Sequence, residues 1–194
     1  MIIYVRSTED WEKLRDRQEN DIAADIRIHT DLFKLDFHPY NTSICICGTS
    51  KIGTISISIS SIGNFAVVGE LVDCRVDNVD GNAIVHKIIS SSVKEIHGNS
   101  LVDEIHDSYA DYIYGQTTID YISESYIARI YNACKIIHIH KSKIHRIDDF
   151  PFISKISKSN IETITGSPTI NTLEHSLIHS APLNFRDSIR NYYE

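Results

Sequence analysis

The chain repeats itself every 17 residues through residues 63–181, and this period restricts the possible folds more than any other feature of the sequence. Columns six, nine, fourteen and seventeen of the repeat hold only Ile, Val, Leu or Ala. Agreement of this kind indicates that every segment folds alike and buries the same positions. The seven aligned segments are GNFAVVGELVDCRVDNV, DGNAIVHKIISSSVKEI, HGNSLVDEIHDSYADYI, YGQTTIDYISESYIARI, YNACKIIHIHKSKIHRI, DDFPFISKISKSNIETI and TGSPTINTLEHSLIHSA.

The spacing of the apolar columns predicts strands and not helices. Successive inward positions lie two or three residues apart, whereas the buried face of a helix needs spacings of three and four. β-Branched residues dominate these columns, as a pleated buried surface prefers. We therefore predict an all-β fold, a single-stranded parallel β-helix (solenoid) of about 17 residues per coil and about eight coils. Each half of a coil is expected to carry two short strand segments.

The twelfth column is a second regular feature. It holds Cys74 and then six serines in succession. We expect an inward ladder of small hydroxyl groups that bond along the stack or to the backbone. Because no base accompanies the serines, the pattern indicates packing and not a set of nucleophiles.

Outside the clear repeat, the phase continues towards the N-terminus with less regularity. Residues 47–62 fit one more coil shortened by one residue, and an irregular coil is expected before it. The chain is predicted to be one domain, with an N-terminal cap over residues 1–45, a solenoid over 46–181 and a C-terminal cap over 182–194.

Both caps are expected to contain helices that cover the ends of the core. In the first cap a strand precedes a helix with Ser7 or Thr8 as its N-cap, and Trp11 should lie across the first coil. In the second cap Asn184 is the predicted N-cap of a short helix. Its apolar face would be formed by Phe185, Ile189 and Tyr192.

Three histidines in the stretch KIIHIHKSKIHRI raise the question of a metal site. The repeat places Ile139 inside, so that His138 and His140 face outwards, and it places His145 in the next half-coil. Three zinc ligands would have to converge to about 2.0–2.1 Å from the ion. We therefore predict no metal site and no cofactor, with a ligand-binding or enzymatic His138/His140 corner as an alternative.

Tyrosine is the other outward feature, and six of the ten tyrosines fall in three neighbouring segments. Two pairs share a column and should stack one coil apart. Such ladders stabilise a sheet surface, but exposed tyrosine beside arginine is also the composition of binding hot spots. The candidate partner-binding residues are Tyr109, Tyr112, Tyr114, Tyr126, Arg129 and Tyr131.

Composition and motifs exclude several classes of function. A formal charge of −7 argues against binding to a phosphate backbone, so no nucleic-acid partner is expected. No window is apolar enough for a membrane span or a signal peptide, which predicts a cytoplasmic protein without a membrane partner. The motifs of nucleotide-binding loops, serine hydrolases and zinc proteases are missing, so we predict no catalytic residue and no enzyme activity.

Segments such as HGNSLVDEIHDSYADYI resemble the short repeats of small β-solenoid proteins of bacterial and prophage genomes, and more loosely those of bactofilins. The resemblance covers residues 46–181 and implies the architecture. Bactofilins polymerise through exposed ends and are richer in glycine, whereas caps are predicted here. We expect a protein-binding solenoid, a monomer or lateral homodimer, in one form a phage-encoded inhibitor of a host enzyme such as a defence factor or toxin. The alternative is a structural assembly component, either filament-forming or virion-associated.

Overall fold

The computed structural model describes residues 2–16, 24–37, 42–182, 185 and 191–193. It is an all-β parallel solenoid of about nine turns with about 17 residues per turn, which confirms the predicted fold. One short helix, α1 (Thr8–Asp16), follows the first strand. The strands are β1 (Ile2–Val5), β2 (Ala24–Ile28), β3 (Leu32–Leu35), β4 (Thr42–Ile46), β5 (Lys51–Ile55), β6 (Ile59–Ile62), β7 (Val67–Val72), β8 (Arg75–Val79), β9 (Ile84–Ile89), β10 (Ser92–Ile96), β11 (Leu101–His106), β12 (Tyr109–Ile113), β13 (Thr118–Ser123), β14 (Tyr126–Ile130), β15 (Lys135–His140), β16 (Lys143–Ile147), β17 (Phe152–Ser157), β18 (Asn160–Ile164), β19 (Thr169–Glu174), β20 (Leu177–Ser180) and β21 (Asn191–Tyr193).

The strands form two parallel sheets on opposite halves of the coil. An 11-stranded sheet runs β1, β2, β4 and on through the even strands to β20, and a 10-stranded sheet runs from β3 through the odd strands to β21. Equivalent columns pair in register, so that Ile136 lies between Ile119 and Ile153. Each half-coil is one strand and not two separate segments. Its ladder omits one position, Asp103 in β11 for example, where two successive residues lie between the inward positions.

The offset between paired strands changes only near the N-terminus. Ile52 pairs with Val68, sixteen residues later, so the predicted coil shortened by one residue is confirmed. Ile26 pairs with Ile44, eighteen residues later, in the irregular coil before it. The regular 17-residue register therefore begins after two coils of unequal length.

The four apolar columns form the core. Their side chains are buried in every coil except the last, where Ile178 is half-buried and Ala181 is exposed. The fourth column is also buried, and its residues are small because it lies next to a corner: Ala66, Ala83, Ser100, Thr117, Cys134, Pro151 and Pro168.

Two corners per coil use left-handed backbone. The second column holds Gly, Asn or Asp, the residues that adopt positive φ most easily. The eleventh column has φ between 45° and 51° although it contains no glycine. Its members are Asp73, Ser90, Asp107, Glu124, Lys141, Lys158 and His175.

The serine column follows this second corner and completes its hydrogen bonding. The backbone N–H of Ser108 donates to Oγ of Ser125 in the next coil at 3.1 Å, and Oγ of Ser125 donates to the carbonyl of Ser123 at 2.6 Å. The same pair of bonds recurs in neighbouring coils, with Ser142 and Ser159. The ladder thus pairs a buried backbone N–H that the corner takes out of the sheet, as the sequence predicted.

Replacement of Ser125 by Ala is expected to leave the N–H of Ser108 buried without a partner. We expect the free energy of unfolding to fall by about 1–3 kcal/mol, the usual cost of an unpaired buried polar group. Urea unfolding followed by circular dichroism measures this loss. Ser92→Ala, on the outer face of β10, is the matched control and should change stability by less than about 0.5 kcal/mol; an equal loss in both variants would contradict the role of the ladder.

The N-terminal cap matches its prediction. Oγ of Ser7 accepts the N–H of Asp10 at 3.1 Å, which makes Ser7 the N-cap of α1. Trp11 is only 5% exposed and joins the core, where its ring meets that of Phe37 edge-on at 6.3 Å. The helix therefore covers apolar side chains at this end of the solenoid.

The C-terminal cap differs from its prediction where it can be compared. Residues 191–193 form β21, which pairs with β19, so Tyr192 lies in a strand and not on a helix. Asn184 and Ile189 lie outside the described residues. Phe185 is 5% exposed and belongs to the core, consistent with a segment that covers the last coil.

Candidate functional site

The structure brings the six candidate binding residues together on one face. Tyr109 and Tyr112 lie on β12, and Tyr126 and Arg129 lie beside them on β14 of the 11-stranded sheet. Tyr114 and Tyr131 follow these two strands at the adjoining corner. We call this set of six the tyrosine patch.

Most of the rings of the patch are arranged in two parallel stacks along the solenoid axis. The rings of Tyr109 and Tyr126 lie 5.1 Å apart with an interplanar angle of 3°. Tyr114 lies between His97 and Tyr131, at 4.9 Å and 4.8 Å between ring centroids. Tyr112 and Tyr109 are each 39% exposed, so the patch presents aromatic surface to solvent.

Charged groups fix the outer atoms of these rings. The Tyr114 hydroxyl donates to Glu95 at 2.7 Å, and burial together with this bond raises the pKa of Tyr114 to about 12. A hydrogen bond to Asp111 raises the pKa of Tyr109 to about 12 as well. Both phenols therefore remain neutral hydrogen-bond donors at physiological pH.

Two cations cover ring surfaces within the patch. The Arg129 guanidinium lies 4.8 Å from the centroid of Tyr131, and the Lys143 ammonium lies 5.7 Å from that of Tyr126. Both distances are within the range of cation–π contacts. The tyrosine rings thus already attract positive charge inside the protein itself.

Asp148 anchors the end of the patch. Its side chain is only 3% exposed and accepts bonds from Nε of Arg129 and Nε of Arg146, each at 2.5 Å, and from the Thr165 hydroxyl. Burial alone would raise the pKa of Asp148, but these three donors outweigh it and lower the pKa. Because Asp148 holds Arg129 over Tyr131, it positions the binding surface.

Replacing Asp148 with Asn should remove the charge that pairs both guanidinium groups. We expect unfolding at neutral pH to cost about 1–3 kcal/mol less, the range for hydrogen bonds to charged groups. The lowered pKa means that the stabilisation is complete above the ordinary carboxyl pKa of about 3.9 and is lost as pH falls below it.

Urea unfolding of parent and Asp148→Asn at pH 7 and at about pH 2.5 tests this sign, because the difference between them should shrink in acid. Asp77→Asn is the control, since Asp77 makes only an exposed ion pair with Arg75 at 3.6 Å. A difference that is equal at both pH values would contradict the assignment.

Sequence reasoning missed several contributors to this surface. His97 stacks on Tyr114 and Lys143 covers Tyr126, and each shares a repeat column with the ring it touches. The column pattern could therefore have found both. Asp148 gave no such signal, because its partners Arg129 and Arg146 occupy another column.

The three histidines are divided between two strands. His138 and His140 lie on β15 and both contact Oγ of the buried Ser157, at 3.0 Å and 2.9 Å. Burial, with Lys155 and His140 nearby, lowers the pKa of His138. His145 lies on β16 in the other sheet and pairs with Glu162 at 2.5 Å. Within the described part of the chain, no group of three His, Cys, Asp or Glu side chains could hold a metal ion.

Other nucleophilic groups are buried. The serine ladder lies inside the coil, and burial raises the pKa of the Cys134 thiol to about 12, so its reactive thiolate is scarce at neutral pH. In the residues described, no helix is long and apolar enough to cross a membrane. Comparison with family models, curated proteins and solved structures finds no match for the chain.

Proposed function

We propose that the chain is a non-enzymatic protein-binding solenoid and that the tyrosine patch is its binding surface. The observation that carries the proposal is the convergence of six side chains from two strands and one corner, with two tyrosines 39% exposed. Tyrosine and arginine are the residues that most often dominate binding energy at protein interfaces.

The patch is organised before any partner arrives. Stacking along the axis restricts the rings of Tyr109 and Tyr126, and Asp148 restrains Arg129. Side chains that are ordered in the free protein lose little conformational entropy on binding. A preorganised aromatic surface on a rigid sheet therefore favours tight association over a small area.

The composition-based hypothesis of a phage-encoded inhibitor is the specific form of this proposal. It places the chain in the host cytoplasm as a monomer or lateral homodimer that binds a host enzyme. The formal charge of −7 favours a partner with a basic surface. Bacterial lysate is therefore the first source in which to search for the partner.

The triple variant Tyr109→Ala, Tyr126→Ala, Tyr131→Ala tests the patch. A protein recovered from bacterial lysate on the parent chain should bind this variant about thirtyfold more weakly or worse, because a central interface tyrosine contributes about 2 kcal/mol. Calorimetry measures both affinities. Replacement of Tyr121, His138 and Phe152 by Ala removes aromatic surface from the opposite sheet and should leave affinity unchanged. Equal binding by the tyrosine variant and its parent would overturn the proposal.

A structural assembly component is a second candidate, favoured by the apolar groups on the edge strands. Phe33 on β3 is 92% exposed, Ile2 on β1 is 48% exposed and Leu177 on β20 is 56% exposed. Pairing of β20 with β1 of a second copy would continue the 11-stranded sheet and give an open filament. The loose resemblance to bactofilins points the same way, although α1 covers part of the core at one end.

This second candidate predicts concentration-dependent linear oligomers that Leu177→Lys dissociates, because a buried lysine in the joint would be unpaired. Sedimentation velocity over a series of concentrations measures the effect. Phe150→Lys is the control, since Phe150 is 70% exposed but lies outside the edge strands. A parent protein that remains monomeric at every concentration would exclude assembly through the ends.

A further inference from the structure

The stack of Tyr109 and Tyr126 has unequal ends. At one end the ammonium of Lys143, from the next coil, lies over the ring of Tyr126. At the other end the register neighbour of Tyr109 is Ser92, whose side chain is too small to cover an aromatic ring. The described cation–ring contacts involve Tyr4, Tyr126 and Tyr131 only, so the outer face of Tyr109 holds no cation.

The surroundings of this outer face are acidic. Asp107 and Asp111 stand two residues before and after Tyr109 on the same coil, and Asp107 is exposed. Nearby Lys94 is 4.0 Å from Glu95, and Arg75, one coil beyond Ser92, is paired with Asp77. The local cations are therefore matched by their own carboxylates, while Asp107 and Asp111 add negative charge beside the ring.

We infer that the outer face of Tyr109, above Ser92, is the seat of an arginine or lysine side chain from a protein partner. The inference rests on the proposed function and names the chemistry of the partner. The seat would repeat, in trans, the contact that Lys143 makes with Tyr126. The partner's cation would meet a ring face and two carboxylates, an arrangement that favours positive charge over a neutral side chain of the same shape.

The position of Ser92 allows the seat to be filled from within the chain. In Ser92→Arg the new guanidinium would lie one coil from Tyr109, as Lys143 lies one coil from Tyr126. We expect this variant to bind the recovered partner about tenfold more weakly, which corresponds to about 1.4 kcal/mol for one lost cation–ring contact. Ser154→Arg adds the same charge to the opposite sheet and is the matched control, expected to bind as the parent does.

A probe of defined chemistry tests the parent protein directly. A short peptide of alternating glycine and arginine is titrated into protein with labelled tyrosine rings, and its citrulline counterpart is titrated in parallel. The Tyr109 ring signals should move with the arginine peptide, stay in place with the neutral citrulline peptide, and stay in place with both in Ser92→Arg. Equal movement with both peptides, or none with either, would overturn the cation seat.

The outcomes separate this inference from the proposed function. Loss of partner binding in both the tyrosine triple variant and Ser92→Arg supports both. Loss in the triple variant with full binding by Ser92→Arg leaves the binding surface standing and removes the cation seat. Full binding by both variants overturns both.

Discussion

Axial pairing of equivalent residues is the constraint on which the rest of the molecule depends. A coil has no hydrogen-bonded partner strand of its own, so its backbone groups are paired by the coils on either side. This pairing holds only if the corners occur at the same column every time. Left-handed residues in the second and eleventh columns meet that requirement, and the serine ladder pairs the N–H that the second corner would otherwise strand.

In-register pairing also decides which outer columns are stable. Identical neighbours are favourable where they stack, as Tyr109 and Tyr126 do, but like charges one coil apart would repel. Charged columns accordingly change sign: Glu70, Lys87 and Glu104 are successive register partners. Exposed pairs such as Lys141 with Glu124 follow the same rule. The mixed surface charge is thus a consequence of the fold and does not by itself mark a site.

The sequence could predict the core, the register, the serine ladder and the stacked tyrosines, because each of these follows from column number alone. It could not predict features that depend on how columns meet in space. The eleventh column holds Asp, Ser, Glu, Lys and His, so no glycine marks its positive φ. Asp148 joins arginines from a different column, and β21 lies beyond the repeat. The tyrosine patch was predicted as two pairs, whereas its cover by Lys143 required coordinates.

The division between inner and outer columns indicates where recognition can reside. The inner columns are nearly constant, and the regular coils have no inserted loop that could form a cleft, so any specificity must come from outer side chains. The tyrosine patch spans only neighbouring coils of one sheet and supplies six residues, whereas a standard interface uses about 20 to 30 residues per partner. A partner bound at the patch must therefore also contact the surrounding charged columns, including Lys94 and His145. Those columns would form a polar rim around an aromatic centre, which is the arrangement that concentrates binding energy in few residues.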